Sequence, residues 1–306
     1  MEKLLCLNNY LKFKCKCDKC RHTCCAYWKI NASKRDYDRI TSIDEGINHL
    51  ELESFPTSKR YAYIKLNGSG KCPCLSKEGL CSLQIKYGID ALTSICMSYP
   101  RVFRYINSPE VSLSTACEGV LEYLMSNELI TFERIDKKYM YDNKYSANQK
   151  FIKRNSVRNK VFDLYKKEGL NAVSNYLGID LDISFNKEFY SYLKNIYDEL
   201  FRERANITGY QHFMDNISYE DINIIDNISI KNIMINHMFY MNFPFCNNNE
   251  NLKENFIGLL TVEGIVKVAF SILKGEELVD ELSFLFRGIE HSNFYDKCYG
   301  LYKELM

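Results

Sequence analysis

The chain has 306 residues, with 40 Lys+Arg against 39 Asp+Glu and a formal net charge of +1 at pH 7. Such a balance excludes a global basic field for gripping nucleic acid. Hydrophobic residues at 46% and aromatics at 14% are enough for one or two buried cores. No stretch approaches the roughly 18 uncharged apolar residues of a membrane span, and the best candidate, Gly264 to Leu273, carries Lys267.

At the N-terminus, Met1-Glu-Lys-Leu-Leu-Cys-Leu7 runs directly into Asn8-Asn9-Tyr10, leaving no apolar core for a signal peptide. A cytoplasmic, reducing compartment is expected, where clustered thiols serve as metal ligands rather than disulfides. Ser33 with Asp36 three residues later predicts a capped helix running to about Leu50. Tyr61 to Leu66 reads as a short strand, and Asn67-Gly-Ser-Gly70 turns the chain. Val102 to Ile106 and Val111 to Ser114 read as strands around an Asn107-Ser-Pro-Glu110 turn. From about 121 the pattern becomes helical. Segments 146–177, 229–242, 253–273 and 276–289 are helical candidates, as are the stripes Phe189, Leu193, Ile196, Tyr197, Leu200, Phe201 and Phe294, Cys298, Leu301, Tyr302, Leu305. The expected fold is mostly α with a few short β-strands (α+β). A cysteine-rich metal-cluster domain over 1–120 precedes an α-helical domain over 121–306.

Of 13 cysteines, 11 fall at or before position 117. The first group is Cys15-Lys-Cys17-Asp-Lys-Cys20-Arg-His-Thr-Cys24-Cys25; the second is Cys72-Pro-Cys74, Cys81, Cys96 and Cys117. Thiolates a few residues apart on a loop converge on one metal without long-range folding, which is why such spacings recur in zinc and iron–sulfur sites. Cys6, Cys246 and Cys298 read as small buried hydrophobes. One tetrahedral zinc needs four thiolates, and ten follow Cys6. This surplus favours an iron–sulfur cluster, with zinc as the alternative metal.

These residues carry a resemblance. Cys15-x4-Cys20-x3-Cys24-Cys25-x2-Trp28-x-Ile30 resembles the N-terminal signature of the flagellin lysine-N-methylases. Cys72-Pro-x-Leu75, Gly79-Leu-Cys81-x2-Gln84, Cys96-x2-Tyr99-Pro-Arg101 and Ser112-Leu-Ser-x2-Cys117-Glu are similar to it as well. The likeness covers residues 10 to 120 in order. It is weaker in the helical half, through His237-x-Phe-Tyr and Phe286-Arg-x-Ile-Glu290-His291. A looser likeness joins Cys20, Cys24, Cys25, Cys72, Cys81 and Cys96 to small zinc- or iron-chelating cysteine-rich domains. The resemblance implies a [4Fe-4S] cluster and S-adenosylmethionine-dependent methyl transfer to surface lysines of flagellin or another surface protein. The shared metal-site cysteines it implies are Cys15, Cys20, Cys24, Cys25, Cys72, Cys81, Cys96 and Cys117. Cys17 and Cys74 are additional.

The glycine-rich turn of a Rossmann-type methyltransferase is missing, and so is a Cys-x3-Cys-x2-Cys run. Tyr27, Trp28 and Tyr99 beside the cysteines are the first residues to examine as proton acceptor or aromatic faces for cations. Arg101 is placed evenly between a surface role and pairing with a cluster or cofactor charge. His22 reads as a loop residue, and His237 and His291 as packing histidines. The basic run from Lys150 to Lys160 reads as a solvated helix face. The alternative to an enzyme is a non-catalytic zinc or iron–sulfur module bracing a protein-interaction domain.

Overall fold

The computed structural model describes residues 3–43, 49–106, 108–125, 128–136, 152–208, 213–215, 217–246 and 249–305. In chain order the elements are β1 (Lys3–Leu7), β2 (Asn31–Ala32), α1 (Lys34–Ile43), β3 (Leu50–Leu52), β4 (Ala62–Ile64), α2 (Ser82–Tyr87), α3 (Ser94–Ser98), β5 (Arg101–Tyr105), β6 (Pro109–Leu113), α4 (Glu118–Leu124) and β7 (Phe132–Asp136). Then come α5 (Ile152–Glu168), α6 (Leu170–Leu177), α7 (Lys187–Thr208), α8 (Ile228–Met241), α9 (Leu252–Ile272), α10 (Gly275–Glu290) and α11 (Phe294–Leu305). The fold is α+β and mostly helical, as the sequence indicates.

Two compact units divide the chain. One is Lys14–Pro100; the other joins Met1–Phe13 to Arg101–Met306. The boundary expected near 120 from cysteine density is not where the contacts divide. β1 pairs in parallel with β6, Leu5 opposite Glu110, and antiparallel with β7. With the β5–β6 hairpin this makes a sheet of order β5-β6-β1-β7. The first thirteen residues and the hairpin therefore belong with the helices. Leu4 and Cys6 on β1 are fully buried there.

In the larger unit α9 is the central helix. Its apolar window is 83% buried, and among the described residues it is the one helix long and apolar enough to cross a membrane. The apolar stretch is thus longer than Gly264 to Leu273. Two glycines set close helix approach: a Cβ on Gly258 of α9 would lie 2.2 Å from the ring of Tyr295 on α11, and one on Gly288 of α10 would lie 2.2 Å from Phe201 on α7. The predicted α7 stripe is buried at Phe189, Leu193, Ile196, Tyr197 and Phe201. Gly169, at φ +78°, splits the helix expected over 146–177 into α5 and α6; residues 146–151 lie outside the described ones.

One buried ion pair was not expected. Arg158 on α5 is 2% exposed, and its guanidinium donates to both oxygens of Glu110 on β6. Arg104 Nε donates to Glu110 Oε2 at 3.3 Å, and its Nη1 to the Tyr240 carbonyl at 2.5 Å. The Lys150–Lys160 run is therefore not wholly a solvated face: Arg158 points inward and ties α5 to the hairpin.

In the smaller unit a three-stranded sheet of order β2-β4-β3 carries the cysteine loops. Ser33 caps α1 as predicted, with Asp36 N–H donating to its hydroxyl at 3.1 Å while Ser33 N–H donates back to Asp36 Oδ2 at 3.2 Å. Within the described residues α1 covers Lys34–Ile43, residues 44–48 of the expected helix lie outside them, and Leu50 opens β3, a strand that the sequence pattern does not announce. The predicted strand over Tyr61 to Leu66 is the shorter β4.

Candidate metal centre

The two cysteine groups meet because their backbones are stitched together. Cys72 N–H donates to the Cys25 carbonyl at 2.7 Å, and Tyr27 N–H to the Gly70 carbonyl at 2.8 Å. Gly70 sits at φ +73°, and a Cβ there would stand 2.8 Å from the Tyr27 ring, so glycine is required under that ring. Asn67 Oδ1 holds the turn by accepting the N–H groups of Ser69 and Lys71, each at 3.0 Å. Farther on, Ser82 donates its N–H at 2.8 Å and its hydroxyl at 3.0 Å to the Cys74 carbonyl, which places Cys81 at the start of α2. Cys96 rides on α3, whose N-cap Thr93 accepts the Cys96 N–H at 3.2 Å. Trp28 donates its indole N–H to the Cys24 carbonyl at 2.6 Å.

The result is a cavity of about 190 Å³ within Lys14–Pro100. Its wall carries Cys15, Cys17, Cys20, Cys24, Cys25, Cys72, Cys74, Cys81 and Cys96, together with Trp28, Tyr99, apolar residues such as Ile30 and Ile64, and His49. Among the described residues no Asp, Glu, Lys or Arg stands on it. Burial pushes the Cys96 thiol up to about 12, and the neighbouring Cys25, Cys72 and Cys81 add to this. Cys72 is held below its ordinary value by a hydrogen bond from Cys74, whose own thiol is raised by the same bond. Burial also lowers the His49 imidazole. Among the described residues no three His, Cys, Asp or Glu side chains gather closely enough for one metal ion; the thiols ring a space instead. A soft, sulfur-rich, uncharged wall fits an iron–sulfur cluster or zinc by the chemistry of its donors.

A lysine-N-methylase of Salmonella typhimurium is 32% identical over 123 residues, 38% of this chain and 31% of that relative. A protein of the same name from Salmonella choleraesuis is 32% identical over 122 residues, 38% of this chain and 30% of that relative. A flagellar biosynthetic protein FliU of Salmonella muenchen is 31% identical over 122 residues, 38% of this chain and 72% of that relative. The chain belongs to the flagellin lysine-N-methylase family. This flagellin lysine-N-methylase relative spans about a third of the length of the lysine-N-methylases it matches. No family model and no solved structure matches the chain.

Of the eight cysteines shared with the flagellin lysine-N-methylase signature, Cys15, Cys20, Cys24, Cys25, Cys72, Cys81 and Cys96 line the cavity, and the additional Cys17 and Cys74 join them. Cys117 does not; it belongs to the larger unit, where it is the N-cap of α4. Cys6, Cys246 and Cys298 are buried packing residues, as expected. Trp28 and Tyr99 face each other with ring centroids 5.3 Å apart, while Tyr27 covers Gly70 and is absent from the wall. Arg101 lies over the rings of Phe13 and Tyr10, at 5.2 and 5.8 Å. His22 is not on the wall. His49 is, and nothing in the sequence marked it, since it has no ligand spacing to any cysteine.

His237 and Glu290, which the expected resemblance picks out in the helical half, also converge, but in a packed interior. Glu290 accepts the Ser114 hydroxyl at 2.5 Å and the Thr115 N–H at 2.9 Å. His237 Nδ1 lies 3.8 Å from Glu290, and Nε2 lies 3.1 Å from the Tyr295 hydroxyl. With the side chains of His237 and Glu290 fully buried, this is a structural network. His291 is exposed. A separate cleft of about 380 Å³ in the larger unit is lined by Phe185, Phe189, Tyr165, Glu263 and Lys267 among others. There Tyr165 donates to Glu263 at 2.8 Å, and Lys267 bridges Glu263 at 2.8 Å and Asp226 at 2.9 Å.

Proposed function

We propose that this chain is a protein-lysine N-methyltransferase that holds a [4Fe-4S] cluster in the cysteine cavity and uses S-adenosylmethionine. Flagellin or a similar surface protein is the substrate, and a reducing cytoplasm the setting. The observation that carries the metal part is nine cysteines on the wall of one uncharged cavity. Four thiolates on one zinc at Zn–S of about 2.3 Å place their sulfurs roughly 3.8 Å apart. The nine thiols on the wall exceed the four that one zinc takes, and cysteine is the usual ligand of an iron–sulfur cluster. Methyl transfer is supported by the relatives called lysine-N-methylase, and the flagellar substrate by the relative called flagellar biosynthetic protein FliU.

S-adenosylmethionine supplies a methyl group on a sulfonium. The acceptor lysine has to arrive as the neutral amine. Trp28 and Tyr99 offer aromatic faces to a cation at the cysteine cavity. The cleft beside Glu263 has the size and mixed polarity of a small-molecule site. Purified without oxygen, the protein is expected to be brown, to carry iron and sulfide in near-equal amounts, and to methylate lysines of flagellin from its own host. A colourless protein holding only zinc overturns the cluster; no S-adenosylmethionine binding by calorimetry overturns the transfer.

A second reading is a metal module that braces a protein-interaction domain. It is favoured by the apolar cluster beside the cysteines in Lys14–Pro100, where Ile30, Ile64 and Cys72 are buried and Cys25, Cys74 and Cys96 pack against them. The other buried apolar residues of the unit are mostly alanines, with Ile40 and Leu92. So small a core relies on a metal to fold. Metal-dependent folding without S-adenosylmethionine binding selects this reading.

A further inference from the structure

The cavity wall carries a nitrogen donor among its sulfurs. His49 immediately precedes β3, and its carbonyl accepts the Lys65 N–H at 2.9 Å, which fixes the residue against the end of β4. It is 6% exposed and lines the same cavity as the nine cysteines. Among the described residues the imidazole makes no hydrogen bond, ion pair or ring contact. A ring nitrogen on the wall of a cavity lined by thiols is placed to act as a donor to whatever the cavity holds. Besides the thiols the described wall carries Thr23, Gln84 and Thr93, and Thr93 already accepts the Cys96 N–H.

We infer that His49 supplies a nitrogen donor to the metal group held by the cysteines, making the donor set mixed sulfur and nitrogen. Neutral imidazole is a common ligand of iron and zinc alike. On an iron–sulfur centre, histidine in place of cysteine raises the reduction potential. The inference rests on the metal-binding reading and adds a ligand that the cysteine pattern does not contain.

The test uses the full chain, purified without oxygen from cells fed ring-¹⁵N histidine, reduced, and examined by pulsed electron paramagnetic resonance. A directly bonded imidazole nitrogen is expected, with the ¹⁵N pattern in place of the ¹⁴N pattern of unlabelled protein. The coupling is lost in His49→Ala and in His49→Cys, and His49→Cys retains the iron and shifts to a lower potential. No nitrogen coupling in the wild type overturns the inference, as does a coupling that persists in His49→Cys. Iron and sulfide analysis of the wild type tests the cluster separately. If iron and sulfide are missing, the same variants are loaded with cobalt(II). A shift of the visible cobalt bands between wild type and His49→Cys supports the nitrogen donor without the cluster. Identical bands, or no cobalt binding, overturn it.

Discussion

Asp36 Oδ1 accepts both the backbone N–H of Ser94, at 3.1 Å, and its hydroxyl, at 2.6 Å, joining α1 to the helix that carries Cys96. The other oxygen, Oδ2, accepts the Ser33 N–H and hydroxyl at 3.2 and 2.8 Å. A single buried carboxylate thus organises the starts of two helices. Asp36→Ala strands these donors and is expected to destabilise the cysteine unit by about 2–4 kcal/mol, read by urea unfolding of the metal-loaded protein purified without oxygen. Burial alone would raise the Asp36 carboxyl; hydrogen bonds from Ser94, Ser33 and Arg39 outweigh it and hold the group below its ordinary 3.8. Its contribution is therefore present above that value and lost as pH falls through the lower folded value. Asp36→Asn should flatten the acid limb of the stability curve below pH 3.8, and an unchanged limb would count against the assignment.

Trp28 is the sole tryptophan and stands on the cavity wall. Its fluorescence therefore reports on the metal centre and little else. Loading with iron and sulfide is expected to quench most of the emission, and chelation to restore it. Red-shifted emission after chelation would show Trp28 exposed, because metal removal also loosens the small core around Ile30 and Ile64. Emission indifferent to metal would place the centre elsewhere.

How far the sequence reaches is seen at particular residues. The thiols of Cys20, Cys24, Cys25, Cys81 and Cys96 are legible because their spacing is local chemistry. The helices α10 and α11 are legible from apolar periodicity, and α8 and α9 from long apolar runs bounded by Asn- or Gly-containing breaks. The split between units is not, since it depends on β1 pairing with β6 over a hundred residues away. Arg158 read as part of a basic face because a charge looks the same in sequence whether it meets water or Glu110. His49 had no pattern at all, and only folding brings it to the cysteines.

The Glu110–Arg158 pair lends itself to a paired test. Both side chains are buried, at 0% and 3% exposure, and Arg104 shares the same carboxylate. Removing Glu110 leaves two buried guanidinium groups uncompensated, at a cost of about 3–5 kcal/mol, whereas removing Arg158 leaves the carboxylate paired with Arg104 and costs less. Glu110→Gln is expected to lower the urea midpoint strongly, and Arg158→Met to lower it less. Because Arg104 and Asn242 remain behind in each single variant, the double variant should be less destabilised than the sum of the two. Strict additivity would mean the two side chains do not depend on one another.

Cys117 is where the family signature and the cavity part company. The signature counts it with seven cysteines that line the wall, yet its backbone starts α4 and its side chain packs against the core of the larger unit. Cys25→Ser and Cys96→Ser are expected to reduce bound metal by more than tenfold, because each removes a sulfur from the wall and the hydroxyl is a poor donor to a soft site. Cys117→Ser should keep the wild-type metal content, as should Cys298→Ala, which alters a buried packing residue on α11. Circular dichroism on each variant separates loss of metal from loss of fold. A Cys117→Ser protein that is helical but empty of metal would show that the larger unit contributes a ligand, and would restore all eight cysteines to one site.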